Sequence, residues 1–113
     1  MHELKIIQDI FPMIEAVAQK NHLKSINRVV LQVGVLRQVV SEFLRFAFSE
    51  VAKNTIAENA ELVIEPIPVT VCCRFCKLES KPVANIYICS GCGSSNLEVL
   101  TGKEIILATI NGS

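Results

Sequence analysis

The chain has 113 residues, with eleven basic and eleven acidic side chains cancelling to a formal net charge of zero. It therefore has no general attraction for phosphate backbones, which argues against non-specific nucleic-acid binding. No apolar run approaches the ~18–20 residues that cross a bilayer, and the start MHELKIIQDIF, acidic at Glu3 and broken by polar residues, does not read as a signal peptide. A cytoplasmic protein without a membrane partner is expected. Half the residues are hydrophobic but only 5% are aromatic, so the core of one compact domain, or of one domain with a sub-lobe, must be mostly aliphatic.

Residues 4–20 carry Leu4, Ile7, Phe11, Ile14 and Ala18 at helical spacing. Pro12 conflicts with that helix, since an interior proline costs roughly 3 kcal/mol, and predicts a kink or two shorter helical pieces. Asn21 and His22 mark the end. Residues 26–36 are rich in β-branched side chains. Val29, Leu31, Val33 and Val35 alternate with Arg28, Val30, Gln32 and Gly34, which predicts a strand. Ser41 is the expected N-cap of a second helix reaching about Lys53, with Phe43, Leu44, Ala47, Phe48 and Val51 as its core stripe. A second strand is predicted over 61–67, closed by Pro66 and Pro68, and a third over 104–110. This order predicts an α/β (α+β) fold, with two helices packed on a small three-stranded sheet and a zinc-ribbon-like lobe inserted before the last strand. The boundaries are 1–69 plus 101–113 for the α/β domain and 70–100 for the lobe.

The lobe contains five cysteines within 21 residues, and Cys73-Arg-Phe-Cys76 and Cys89-Ser-Gly-Cys92 are separated by twelve residues. A CxxC turn brings two sulfurs within reach of one metal at about 2.3 Å each, and two such turns supply a closed tetrahedral site. Gly91 and Gly93 allow tight folding behind the second pair. The segment 78–88 has few large apolar residues, and zinc would supply the missing folding energy, on the order of 10 kcal/mol. Disulfides and a redox CxxC compete with this reading. A reducing compartment weakens the first, and the doubled spacing weakens the second. Iron also fits four thiolates by spacing. Four cysteine ligands leave no open position for hydrolysis, so the site is expected to be structural. Cys72 is either a small buried residue or a substitute for Cys73; the two-residue gap favours Cys73.

Met1-His2-Glu3 offers a second site. A free α-amine, the His2 amide nitrogen and the His2 imidazole can form fused chelate rings, and the Glu3 backbone amide or carboxylate can close a square plane suited to Ni(II) or Cu(II). From the tripeptide alone a solvated tail without a role is the commoner outcome. His22, beside Lys20 and Lys24, is expected to be solvated. No Ser/His/Asp or Cys/His arrangement and no Gly-rich phosphate loop is present, which argues against an enzyme.

MHEL, RVVLQVGVL, SEFLRFAFSEV, AENAELVIE and the CxxC-x12-CxxC lobe occur in one order. This series resembles the HypA/HybF family of hydrogenase maturation factors, the nickel metallochaperones, across essentially the whole chain. The resemblance implies Ni(II) as transferred cargo, held by His2 with the Met1 amine and the Glu3 backbone or side chain. It also implies structural Zn(II) at Cys73, Cys76, Cys89 and Cys92. The implied partners are a maturation GTPase of the hydrogenase pathway and the [NiFe]-hydrogenase large subunit, with the chain a monomer or weak homodimer. Where relatives often carry an acid before the second helix, this chain has Val40, and Glu42 is the nearest acid. The rival reading is a zinc-ribbon interaction module for nucleic acid or a protein assembly, with Arg74, Lys77 and Lys81 near the metal; zero net charge counts against it.

Overall fold

The computed structural model describes residues 2–82 and 86–113. Its elements are α1 (His2–Lys20), β1 (Ile26–Gly34), a 3₁₀ turn (Val35–Arg37), α2 (Ser41–Ala52), β2 (Glu61–Ile67), β3 (Thr70–Cys73), β4 (Glu79–Ser80), β5 (Leu97–Thr101) and β6 (Ile105–Gly112). One three-stranded sheet has the order β2-β1-β6 and a second the order β4-β3-β5. The fold class is the expected one: α+β, two helices and a small sheet, with a cysteine lobe before the last strand. The chain divides into two compact units. One comprises the residues up to Gln32 with Val39–Glu65 and Ile105–Ser113; the other comprises Val33–Gln38 and Pro66–Glu104.

In the first unit α1 packs on α2 and β6. Ile6, Ile7, Ile10, Phe11, Ile14 and Ala18 are all buried, forming a wider stripe than the periodicity alone marks out. The expected break at Pro12 does not occur, and α1 runs through it as one helix. Pro12 is exposed, as is Gln8, whose carbonyl loses its i+4 donor to the proline ring and can be hydrated instead. Burial of each large aliphatic side chain on the opposite face contributes roughly 1.5–3 kcal/mol, and together they outweigh the proline.

Two expectations for α2 are corrected. Its N-cap is Val40, not Ser41, and no side-chain cap is made there. Leu44, Ala47, Phe48 and Ala52 are buried, with the Phe48 ring 6.1 Å from that of Phe11, but Phe43 is 52% exposed and is not core. In the sheet, β1 lies between β2 and β6. Val30 is buried as well as Val29, Leu31 and Val33, so the simple alternation fails. Val35 belongs to the 3₁₀ turn and is exposed.

In the second unit β3 is the centre of an antiparallel sheet. It pairs with β4 through Val71↔Ser80 and Cys72↔Glu79. It pairs with β5 from Thr70↔Thr101 to Cys73↔Leu97, with a bulge after Thr70. These strands are too short to show a period in the sequence. Thr101 donates its hydroxyl proton to the Pro68 carbonyl at 2.8 Å, so Thr70 is the donor in the 2.6 Å contact between the two threonine hydroxyls. Residues 33–38 join this unit through backbone bonds. Gly34 N–H donates to the Glu104 carbonyl at 2.7 Å and Leu36 N–H to the Gly102 carbonyl at 2.8 Å. Arg37 Nε donates to the Lys103 carbonyl at 2.6 Å.

Candidate metal centre

Two chain reversals build the centre, and they repeat each other. Cys73 N–H donates to the Leu78 carbonyl, and Lys77 N–H returns to the Cys73 carbonyl, both at 2.9 Å. In the second reversal Cys89 N–H donates to the Ser94 carbonyl at 2.7 Å and Gly93 N–H to the Cys89 carbonyl at 3.0 Å. The fifth position of each turn has a left-handed backbone, φ 64° at Lys77 and 78° at Gly93. Glycine meets that demand freely, while lysine adopts it at a cost. Each turn thus presents two sulfurs on its inner side.

The four ligand candidates Cys73, Cys76, Cys89 and Cys92 converge, with all sulfurs within 4.8 Å of one another. Cys73 Sγ lies 3.6 Å from Cys92 Sγ, and Cys76 Sγ 3.4 Å from Cys89 Sγ. A tetrahedron with metal–sulfur bonds of about 2.3 Å has sulfur–sulfur edges of about 3.8 Å, whereas a disulfide requires about 2.05 Å. The observed spacing therefore fits a tetrahedral thiolate-bound metal ion and not a pair of disulfides. Cys73 and Cys89 are buried, while Cys76 and Cys92 are exposed.

Backbone donors support charge on the sulfurs. Cys92 N–H and Gly91 N–H point at Cys89 Sγ, at 3.5 and 3.3 Å, and these donors hold the Cys89 thiol down to about 6. The Cys76 N–H lowers Cys73 in the same way. The Leu78 N–H pulls Cys76 down, yet the Cys89 sulfur and burial outweigh it and push that thiol up to about 12. Against the Ser94 N–H, the Cys73 sulfur leads in raising Cys92. Each close sulfur pair thus holds one readily ionised thiol and one that keeps its proton, and a divalent cation would displace the remaining protons. The depressed Cys89 value has a sign. Its contribution to the folded lobe is present above the thiol's free value near 8.5 and is lost as pH falls through about 6. Because a bound cation competes with protons for the sulfurs, metal content after dialysis should fall on acidification only below about pH 6, and loss of the metal already at neutral pH would contradict this thiolate set.

Cys72 is not part of the cluster. It neighbours Cys73 on a strand, so its side chain projects to the opposite face, and its sulfur lies 3.7 Å from the Cys73 carbonyl. Arg74, a basic residue close to the centre, is engaged with Asn96 Oδ1 at 2.9 Å. His2 is exposed at the start of α1, and Glu3 is buried within its first turn. Met1 lies outside the described residues. Among the described residues the four cysteines are the group of three or more metal-competent side chains that converge; His2 and Glu3 do not join another such group. The sequence did not signal that Glu3 would be buried, because a glutamate in a first turn ordinarily faces water.

A closed four-thiolate centre on an α+β body defines a metal-binding protein whose centre has no open coordination position for hydrolysis. The chain matches the model of the family described as hydrogenase/urease nickel incorporation, metallochaperone, HypA, over residues 1–112. It is 36% identical over 110 residues to the hydrogenase maturation factor HypA of Aquifex aeolicus, covering 97% of this chain and 96% of that protein. It is 37% identical over 111 residues to the HypA of Chloroflexus aggregans, covering 97% of each. The solution structure of the Ni metallochaperone HypA from Helicobacter pylori is similar with a TM-score of 0.75 at 26% identity, covering 99% of this chain and 97% of that one. A second solution structure of a HypA protein gives a TM-score of 0.78 at 27% identity, covering 100% and 97%. The chain belongs to the HypA family of nickel-incorporation metallochaperones, whose role is not an enzymatic one.

Proposed function

We propose that this chain binds Ni(II) at its N-terminus and delivers it to the [NiFe]-hydrogenase large subunit. In this reading it works in the cytoplasm with a maturation GTPase of the same pathway, as a monomer or weak homodimer. Zn(II) is the resident structural metal, held by Cys73, Cys76, Cys89 and Cys92. Residues 1–69 plus 101–113 form the nickel-binding domain, and 70–100 the zinc lobe. Nickel is cargo, carried by His2 through its imidazole and amide nitrogen, the Met1 amine and a Glu3 donor.

The observation that supports this reading best is the start of α1 at His2. The first N–H groups of a helix have no intrahelical acceptor. Replacing the amide protons of His2 and Glu3 by a metal therefore breaks no helical hydrogen bond, whereas the same chelation deeper in the helix would unwind a turn. The exposure of His2 also suits ready release by ligand exchange. Zinc suits the closed tetrahedral thiolate set, which gives the lobe rigidity without a reactive position.

The test is a calorimetric Ni(II) titration of tag-free, zinc-loaded protein beside His2→Ala. One nickel per chain is expected in the parent and none in the variant, with zinc content and fold unchanged. Nickel binding unaltered in His2→Ala would sink the assignment. Residues fused before Met1 remove the free amine and should weaken binding; equal affinity with such a fusion would show the amine to be uncoordinated.

A further inference from the structure

The Glu3 carboxylate stands out because it is the buried charged side chain among the described residues, only 6% exposed. It sits in the first turn of α1. The Val40 N–H donates to Glu3 Oε2 at 3.1 Å, in a partly buried contact. Val40 is the N-cap of α2, and its own side chain makes no cap. It has no side-chain oxygen with which to do so. An N-cap N–H left without an acceptor near a helix packing seam is costly. Glu3 satisfies it from the neighbouring helix and places negative charge at the positive end of α2.

The two chelating candidates also face different ways. His2 is exposed while Glu3 is buried, in keeping with the roughly 100° between successive helix positions. A metal held on the exposed His2 imidazole would lie on the solvent side, and the chelate ring it closes runs through the His2 amide nitrogen. The Glu3 carboxylate would have to leave both its burial and its donor to follow. Taking a carboxylate from a satisfied, buried hydrogen bond carries a cost that an exposed backbone nitrogen does not.

We propose that the Glu3 carboxylate is a clamp between the first turn of α1 and the N-cap of α2 and is not itself a ligand to nickel. Glu3 is then a positioning residue. It holds the N-terminal turn against α2 so that the amide nitrogens of His2 and Glu3 are presented in fixed geometry. The nickel half of this inference rests on the proposed nickel function; the clamp half does not.

Two variants separate the roles, because glutamine keeps an acceptor oxygen and alanine does not. Hydrogen exchange at the Val40 amide is measured first, in zinc-loaded protein without nickel. Glu3→Ala should accelerate it by about tenfold and Glu3→Gln far less, since a lost hydrogen bond of about 1.4 kcal/mol corresponds to tenfold. Unchanged exchange in Glu3→Ala would overturn the clamp. Ni(II) titration and the visible Ni(II) absorption bands are then compared. Glu3→Gln should bind one nickel with the parent's spectrum and within about threefold of its affinity, whereas Glu3→Ala should bind more weakly with those bands unshifted. Shifted bands in Glu3→Gln, or a loss of affinity in it equal to that of Glu3→Ala, would make the carboxylate a ligand and overturn the nickel half. A parent that binds no nickel would overturn the nickel function and this half together, and the Val40 exchange would still decide the clamp.

Discussion

Cys89→Ala is expected to unfold residues 70–100 while leaving the first unit intact. Between residues 70 and 101 the described side chains that reach full burial are Val71, Cys73 and Cys89, and two of these three are metal ligand candidates. Among the described residues no aliphatic cluster remains to hold this segment once the centre is lost, because Leu78, Ile86 and Ile88 are all exposed. Removing Cys89 deletes a sulfur that accepts two backbone N–H bonds and closes the second turn. The first unit has its own core of Ile7, Ile14, Val29, Leu31 and Leu44, each fully buried. Amide resonances of 70–100 should therefore collapse to unfolded positions while those of α1 and α2 keep their dispersion. Metal content should fall below one ion per chain. Chelation of the parent should reproduce the same selective loss, and Cys72→Ala should not. A Cys89→Ala protein that kept full metal stoichiometry and a dispersed lobe would show that the ion is held elsewhere.

Gly34→Ala is expected to be among the most destabilising single-methyl additions in the chain. The reason is space and not backbone freedom, since Gly34 has φ −61° and ψ 135°, a conformation open to any residue. A Cβ there would overlap the Gly102 carbonyl and come within 2.6 Å of Lys103 N. Those are backbone atoms, fixed by the Gly34–Glu104 and Leu36–Gly102 hydrogen bonds, so neither side can yield without breaking the pairing. The expected cost is about 3 kcal/mol or more, at the upper end for overpacking. Gly93→Ala is the informative control. Gly93 has φ +78° but nothing within 4 Å of an added Cβ, so it should lose only the roughly 1–2 kcal/mol of left-handed strain. Thermal unfolding of the two variants distinguishes them. A Gly34→Ala midpoint no lower than that of Gly93→Ala would mean that the close approach relaxes at little cost.

The sequence by itself determined whatever depends on local spacing. The 3.6-residue recurrence from Ile7 to Ala18 placed α1, because a helix repeats its buried face at that period irrespective of what covers it. The doubled CxxC determined the four-sulfur centre for a similar reason. A two-residue gap brings paired sulfurs together within each turn, and only the meeting of the two turns was left to the fold. The ordered series of segments was enough to indicate the family. Tertiary structure decided what depends on neighbours distant in sequence. Pro12 could remain in a continuous helix because its missing hydrogen bond falls on the exposed side. Val30 was buried although it shares a strand face with the polar Arg28 and Gln32, and Phe43 stayed exposed because α2 turns a narrower face to α1 than its composition offers. The burial of Glu3 belongs to the same class. Its partner is a main-chain N–H thirty-seven residues away, and every residue except proline carries such a donor, so no side-chain pattern can announce the contact.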